Sequence, residues 1–224
     1  MKVIVAGATG LVGRHLLEQC ISSSQITHIY TLSRKQLPNQ IGTRAEVTAI
    51  RHDDFTSYPA GLLDQISDAE ACLWAIGGLV QKFSSVEACK LANVTSTLAA
   101  ATVFADHVAP HLKQGRKFRF VFCSGMMTEW DQDKRLSFLN DSRQIKGQAE
   151  RGLFEIQDAH PDHFEVYCPR PSGIHDTGAG TIERLVGKLY SGIGVDEVAR
   201  AMISIAVNGY GERIISSNAL KRIK

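Results

Sequence analysis

The sequence predicts one doubly wound α/β domain: a mostly parallel sheet of six to seven strands with helices on both faces. Three observations carry this expectation. Short apolar runs alternate with amphipathic stretches along the chain, as a parallel sheet with right-handed crossovers requires. The first run, Met1–Ala6, is apolar without alternation, which suits a strand buried on both faces. No internal repeat, low-complexity tract or linker divides the 224 residues, so residues 1–224 read as a single domain.

The elements follow in order. After the first strand a helix is expected from about Leu11 to Cys20, its faces marked by Leu11, Val12, His15, Leu16 and Gln19. Further strands are expected near Ile26–Leu32, Glu46–Arg51, Ala71–Ile76, Phe118–Cys123 and Phe164–Cys168. Helical stretches fall at roughly Ser85–His111, with a break, Ser142–Asp158, Thr181–Tyr190 and Val195–Asn208. Asp196 complements the dipole at the start of the last helix, and Gly209 stops it.

Composition removes several functional classes. A formal net charge of +2 gives no case for nucleic-acid or membrane partners. The densest basic run, Lys113 to Arg119, leads into an apolar strand and reads as a solvated loop. The five cysteines, 20, 72, 89, 123 and 168, are odd in number and mostly set in apolar runs. With no CxxC they read as reduced core thiols of a cytosolic protein, without a metal site. No signal peptide precedes the first strand, and no apolar run approaches the roughly 20 residues that span a bilayer.

The sharpest local signal is Gly7-Ala8-Thr9-Gly10-Leu11-Val12-Gly13, between the first strand and the first helix. Gly7 turns the chain off the strand, Gly10 clears space for a pyrophosphate, and Gly13 lets the helix pack on the sheet. Amide N–H groups and the dipole at the helix start attract phosphates. This site therefore predicts a dinucleotide bound at Gly7, Thr9, Gly10, Leu11, Val12 and Gly13. The second strand ends in Ser33-Arg34-Lys35, where NAD-selective proteins place a carboxylate. A guanidinium pairs with a 2′-phosphate and a hydroxyl adds a bond, so NADP(H) is preferred. Asp54 and Phe55, after the third strand, are placed by the adenine. Ala75, Ile76 and Gly77, after the fourth, are small enough to lie beneath the nucleotide.

These residues give the chain a resemblance to the short-chain dehydrogenase/reductase superfamily, in its small atypical branch of NAD(P)-binding Rossmann proteins related to NmrA-like regulators. GATGLVG (7–13), TLSR (31–34) and AIGG (75–78) resemble the family's turns after strands one, two and four. Asn93 sits where the family often has a structural asparagine, and Ser124 matches the active-site serine. Pro169-Arg170-Pro171-Ser172-Gly173 resembles the proline turn after the sixth strand, which implies a cofactor contact at Pro169. Residues Val195–Ala201 are similar to the family's late helix.

One departure bears on mechanism. The family's Tyr-x-x-x-Lys appears here as Ser142-Arg143-Gln144-Ile145-Lys146. Lys146 is in register, but serine occupies the tyrosine position and is a far weaker acid. Tyr30, Tyr58, Tyr167, Tyr190 and Tyr210 offer no substitute at the motif. The resemblance implies an NADPH-dependent oxidoreductase acting on a small organic carbonyl. Ser124 would hold the substrate oxygen, while Lys146 binds the nicotinamide ribose and relays protons through Ser142 or water. The alternatives are a non-redox isomerase, dehydratase or cyclase using the same pocket, or a non-catalytic NADP(H) sensor that contacts a protein partner. Met126, Met127 and Trp130 would form an apolar substrate wall, with His175 and Asp176 as an acid/base pair at its mouth. A monomer is expected.

Overall fold

The computed structural model describes residues 1–113, 115–176 and 192–223. Strand β1 (Lys2–Ala6) runs into helix α1 (Leu11–Ser22), then β2 (His28–Ser33), a short α2 (Asn39–Gly42) and β3 (Val47–Arg51). The chain continues through α3 (Ala60–Gln65), β4 (Ala71–Trp74) and a long helical stretch. That stretch comprises α4 (Val86–Lys90), a π-helical turn over Leu91–Thr95 and α5 (Ser96–His107), so the expected break is a widened turn. Then follow β5 (Phe118–Phe122), α6 (Asn140–Ala159) and β6 (Phe164–Arg170). The remainder is β7 (Ile174–His175), β8 (Ile193–Gly194), α7 (Val195–Asn208), β9 (Ile214–Ser216) and α8 (Ser217–Leu220). The helix expected over Thr181–Tyr190 lies outside the described residues.

Seven strands form one sheet in the order β3-β2-β1-β4-β5-β6-β9, and every pair is parallel. The order reverses between β1 and β4, which is where an open α/β sheet leaves a crevice beyond its carboxyl ends. The seventh strand, three residues long, had no stretch assigned to it from sequence; it aligns Cys168 with Ile214 and Arg170 with Ser216. β7 and β8 make a separate two-residue ladder.

The period-two alternation of strands sorts the core into two materials. Phe118, Phe120 and Phe122 of β5 join Trp74, Phe104 and Phe164 on one face, under α5 and α6. Val3, Val5, Leu73 and Val121 face the other side, under Leu16 and Leu17 of α1 and Met202 and Ile205 of α7. On length and composition alone, the stretch Val86–His111 is apolar enough to cross a bilayer, which corrects the expectation that no such run exists. Its Ala100, Ala101, Phe104 and Ala105 are 0% exposed against the sheet, the packing of a core helix.

Candidate functional site

The glycine turn has the tight geometry its spacing predicts. Gly7 adopts φ +83°, and a Cβ there would lie 3.0 Å from the backbone of Ala75 on β4's exit. A Cβ on Gly13 would sit 1.9 Å from the Gly7 carbonyl oxygen, so only glycine lets α1 press on the turn. Gly10 differs: its Cβ would meet only the Gly7 oxygen, at 3.4 Å. Nothing among the described residues requires glycine there. α1 begins at Gly10 with no side-chain cap and no acidic residue in its first turn. Its first amides are therefore left for an anion. Thr9, Gly10 and Leu11 are exposed, and Val12 is half-buried beside them.

The selectivity residues are placed unequally. Arg34 and Lys35 are exposed at the end of β2, and no ion pair among the described residues takes Arg34. Ser33 is a correction: it is buried and its hydroxyl donates to the Lys35 carbonyl, so its proton is committed to the turn. Asp54 likewise serves its own loop, its carboxylate accepting from the Thr56 amide at 2.9 Å and hydroxyl at 2.6 Å. These bonds hold its carboxyl below the ordinary value. Phe55 turns inward and packs edge-on against Trp74 and His52, so its ring is spent in the core.

After β4, Ala75, Ile76 and Gly77 lead into the crevice. Gly77 has φ +125°, and a Cβ there would lie 2.3 Å from Asn93 Oδ1 and 3.3 Å from Lys146 Nζ. Asn93, fully buried in the π turn, accepts from the Gly78 amide at 3.0 Å and donates to the Cys89 carbonyl at 2.9 Å. A helix irregularity thus fixes the loop after β4. Ser142, 3% exposed, accepts from the Val80 amide at 2.9 Å. Ser142 thus ties α6 to the loop after β4.

Lys146 Nζ donates to the Cys123 carbonyl at 3.1 Å and lies 4.6 Å from the centre of the Phe122 ring. Burial pushes its ammonium below the ordinary value, opposed by the negative charge of Glu150 one helical turn on. Ser124, on β5's exit, is 7% exposed and donates to Glu150 Oε1 at 2.6 Å. Glu150, 0% exposed on α6, also accepts from Trp130 Nε1 at 2.7 Å and from both arms of the Arg170 fork. Sequence reasoning missed this hub; its signal was the four-residue step from Lys146, which puts Glu150 on the same face of α6. Trp130 is thereby more than an apolar wall: its ring stands 5.7 Å from Phe154 and its indole nitrogen is anchored. Gly147 allows this, because a Cβ there would lie 1.8 Å from the Glu129 carbonyl oxygen.

Two further placements concern residues singled out in the sequence. Pro169 lies within β6, buried, with its carbonyl accepting from the Ser124 amide at 2.9 Å. The paired register with β5 ends at Tyr167, while Pro169 stands opposite Ile215 in the ladder with β9. Asp176, expected beside His175, faces Arg14 at 3.3 Å and His15 at 3.9 Å, both on α1. His175 is half-buried on β7, its Nδ1 without a hydrogen-bond partner.

No family model matches the chain. Over 166 residues it is 27% identical to the leucinostatins biosynthesis cluster protein T of Purpureocillium lilacinum. That match takes in 74% of this chain but 56% of the relative, so the chain spans little more than half of that protein's length. Among solved structures, YIR035C, a short-chain dehydrogenase/reductase of Saccharomyces cerevisiae, superposes with TM-score 0.73 at 11% identity, covering 99% of this chain and 98% of that one. The chain shares its fold with that protein. The yeast methylglyoxal/isovaleraldehyde reductase Gre2, complexed with NADPH, shares this fold at TM-score 0.73 and 14% identity, covering 96% and 77% of the two chains. MoeE5, complexed with UDP-glucose and NAD, does so at TM-score 0.71 and 19% identity, covering 96% and 75%. Within this fold the crevice between β1 and β4 is the place where the residues above converge.

Proposed function

We propose that this protein binds NADP(H) and is an NADPH-dependent oxidoreductase acting on a small organic carbonyl compound. The observation that carries the reading is the glycine turn: an uncapped helix start, open space above Gly10, and unpaired Arg34 at the end of the next strand. The first amides of α1 would hold the pyrophosphate, and Arg34 with Lys35 the 2′-phosphate. The Gly77 loop, fixed by Asn93 and Ser142, would lie beneath the nicotinamide half.

The cofactor supplies hydride chemistry when bound; the chain's own groups orient the substrate and handle the proton. Lys146, its ammonium more acidic than an ordinary lysine, stands beside the Gly77 loop and takes over proton transfer from the absent phenol. Trp130, Met126 and Met127, all partly exposed, supply the apolar wall. His175 would stand at the mouth of the crevice. A cytosolic setting fits five buried thiols without a disulfide.

A second reading, a nucleotide sensor without turnover, draws on Ser142, which spends an acceptor site on Val80 and brings no acidic phenol. Titration with NADPH and NADH, on the native chain and on Arg34→Ala, tests the cofactor assignment. Native protein should favour NADPH, and Arg34→Ala should weaken NADPH roughly 10- to 100-fold while leaving NADH unchanged. Equal affinity for both nucleotides in the native chain defeats the assignment. A carbonyl screen monitored by NADPH oxidation then separates enzyme from sensor.

A further inference from the structure

The buried carboxylate beside Ser124 is unused by the reading above, and its hydrogen bonds have a consequence for what the pocket holds. A carboxylate has about four acceptor sites. Glu150 fills them: Oε1 takes Ser124 Oγ at 2.6 Å and Arg170 Nε at 2.9 Å, and Oε2 takes Trp130 Nε1 at 2.7 Å and Arg170 Nη2. The guanidinium and the indole are donors only. The serine hydroxyl, facing a carboxylate, therefore gives its single proton to Glu150.

The other neighbour of Ser124 does not change this. Thr128 Oγ1 stands 3.2 Å from Ser124 Oγ, but it donates to the Gly125 carbonyl at 2.7 Å. Ser124 is left with oxygen lone pairs and no free proton. In the usual assignment a serine at this place donates to a carbonyl oxygen; here the donor is already committed.

Resting on the reading of this crevice as a nucleotide-dependent pocket, we propose that Glu150 sets its polarity: it makes Ser124 a hydrogen-bond acceptor, so the pocket holds a ligand hydroxyl more tightly than the matching carbonyl. Glu150 acts through Ser124 and is a positioning residue. Of an alcohol and ketone pair, the alcohol is the form the resting site recognises at Ser124, while Lys146 remains the donor for an acceptor group.

The test uses complexes that cannot turn over. Cyclohexanol is titrated into the protein with NADPH, and cyclohexanone into the protein with NADP⁺, following tryptophan emission and heat. The native chain should bind the alcohol about tenfold more tightly than the ketone. Glu150→Gln, whose amide can donate to Ser124 and free its proton, should lower that ratio about tenfold. Ser124→Ala, which leaves Glu150 on its Arg170 partner and does not threaten the fold, should bring the ratio near one. Nucleotide affinity should be unchanged in both variants, a result that a general structural collapse would not give. A ratio unmoved in Ser124→Ala, a native preference for the ketone, or no binding of either probe to a protein that does bind NADPH overturns the proposal. Failure of NADPH itself to bind, measured first, overturns the cofactor reading and with it the proposal.

Discussion

Gly10 and Gly13 share one turn, and the geometry assigns them opposite duties that a pair of alanine substitutions separates. In Gly13→Ala the new methyl falls 1.9 Å from Gly7 O, 2.5 Å from Gly7 C and 2.9 Å from Ala8 N, all backbone atoms. Relief needs the helix to retreat by about 1.5 Å from a close-packed sheet, an overpacking cost of about 1–3 kcal/mol. For a chain of this length that lowers the melting midpoint by roughly 2–12 °C. In Gly10→Ala the methyl meets one oxygen at 3.4 Å, and the backbone, φ −85° and ψ 174°, accepts any residue. Stability should hold or rise slightly, by about 0.4–1 kcal/mol, from the stiffer unfolded chain. The methyl nevertheless occupies space a pyrophosphate needs, so NADPH affinity should fall at least about tenfold. Scanning fluorimetry and nucleotide titration of the two variants read both quantities. If Gly10→Ala melts as early as Gly13→Ala, or binds NADPH like the native chain, the division of labour is refuted.

Three further outcomes are expected. Arg170→Ala leaves Glu150 buried without its counter-charge and should cost about 3–5 kcal/mol in urea unfolding, with Trp130 emission shifted to the red as its anchor loosens. Burial pushes the Cys20 thiol up to about 12 and raises the other four, so a thiol reagent at neutral pH should count none rapidly in the native protein and five after unfolding. Because burial depresses Lys146, the folded chain binds fewer protons than the unfolded one between that lowered value and 10.5. Stability therefore gains from this residue as pH rises through that interval. Lys146→Met should flatten the gain, measured by urea melts across the alkaline range.

Much of the frame was legible because its signals are local. The glycine turn, five of the strands after β1, the long α6 and the bounds of α7 all follow from periodicity and turn chemistry within a few residues. β9 was missed because three residues carry no period, and its existence depends on the exposed edge of β6. Site residues divide the same way. Ser124 and Lys146 stand out by motif, whereas the Glu150 and Arg170 pair joins a helix to a strand twenty positions on and no local pattern announces it. Ser33 and Phe55 were misjudged for one reason: sequence position fixed where the backbone goes but not which way the side chain turns. Ser33 found a carbonyl in its own turn, and Phe55 an aromatic core.

The sorting of rings to one side of the sheet makes the molecule optically lopsided. Phe104, Phe118, Phe120, Phe122, Phe164, Tyr30 and Trp74 all lie on one face, and Tyr167 alone among the buried aromatic residues joins the other. Near-ultraviolet dichroism therefore reports the consolidation of one side. Amide exchange in α1 and α7 reports the other. A refolding experiment recording both signals would watch two halves of a single core assemble, and would tell whether the sheet closes on its aromatic side before its aliphatic side or on both together.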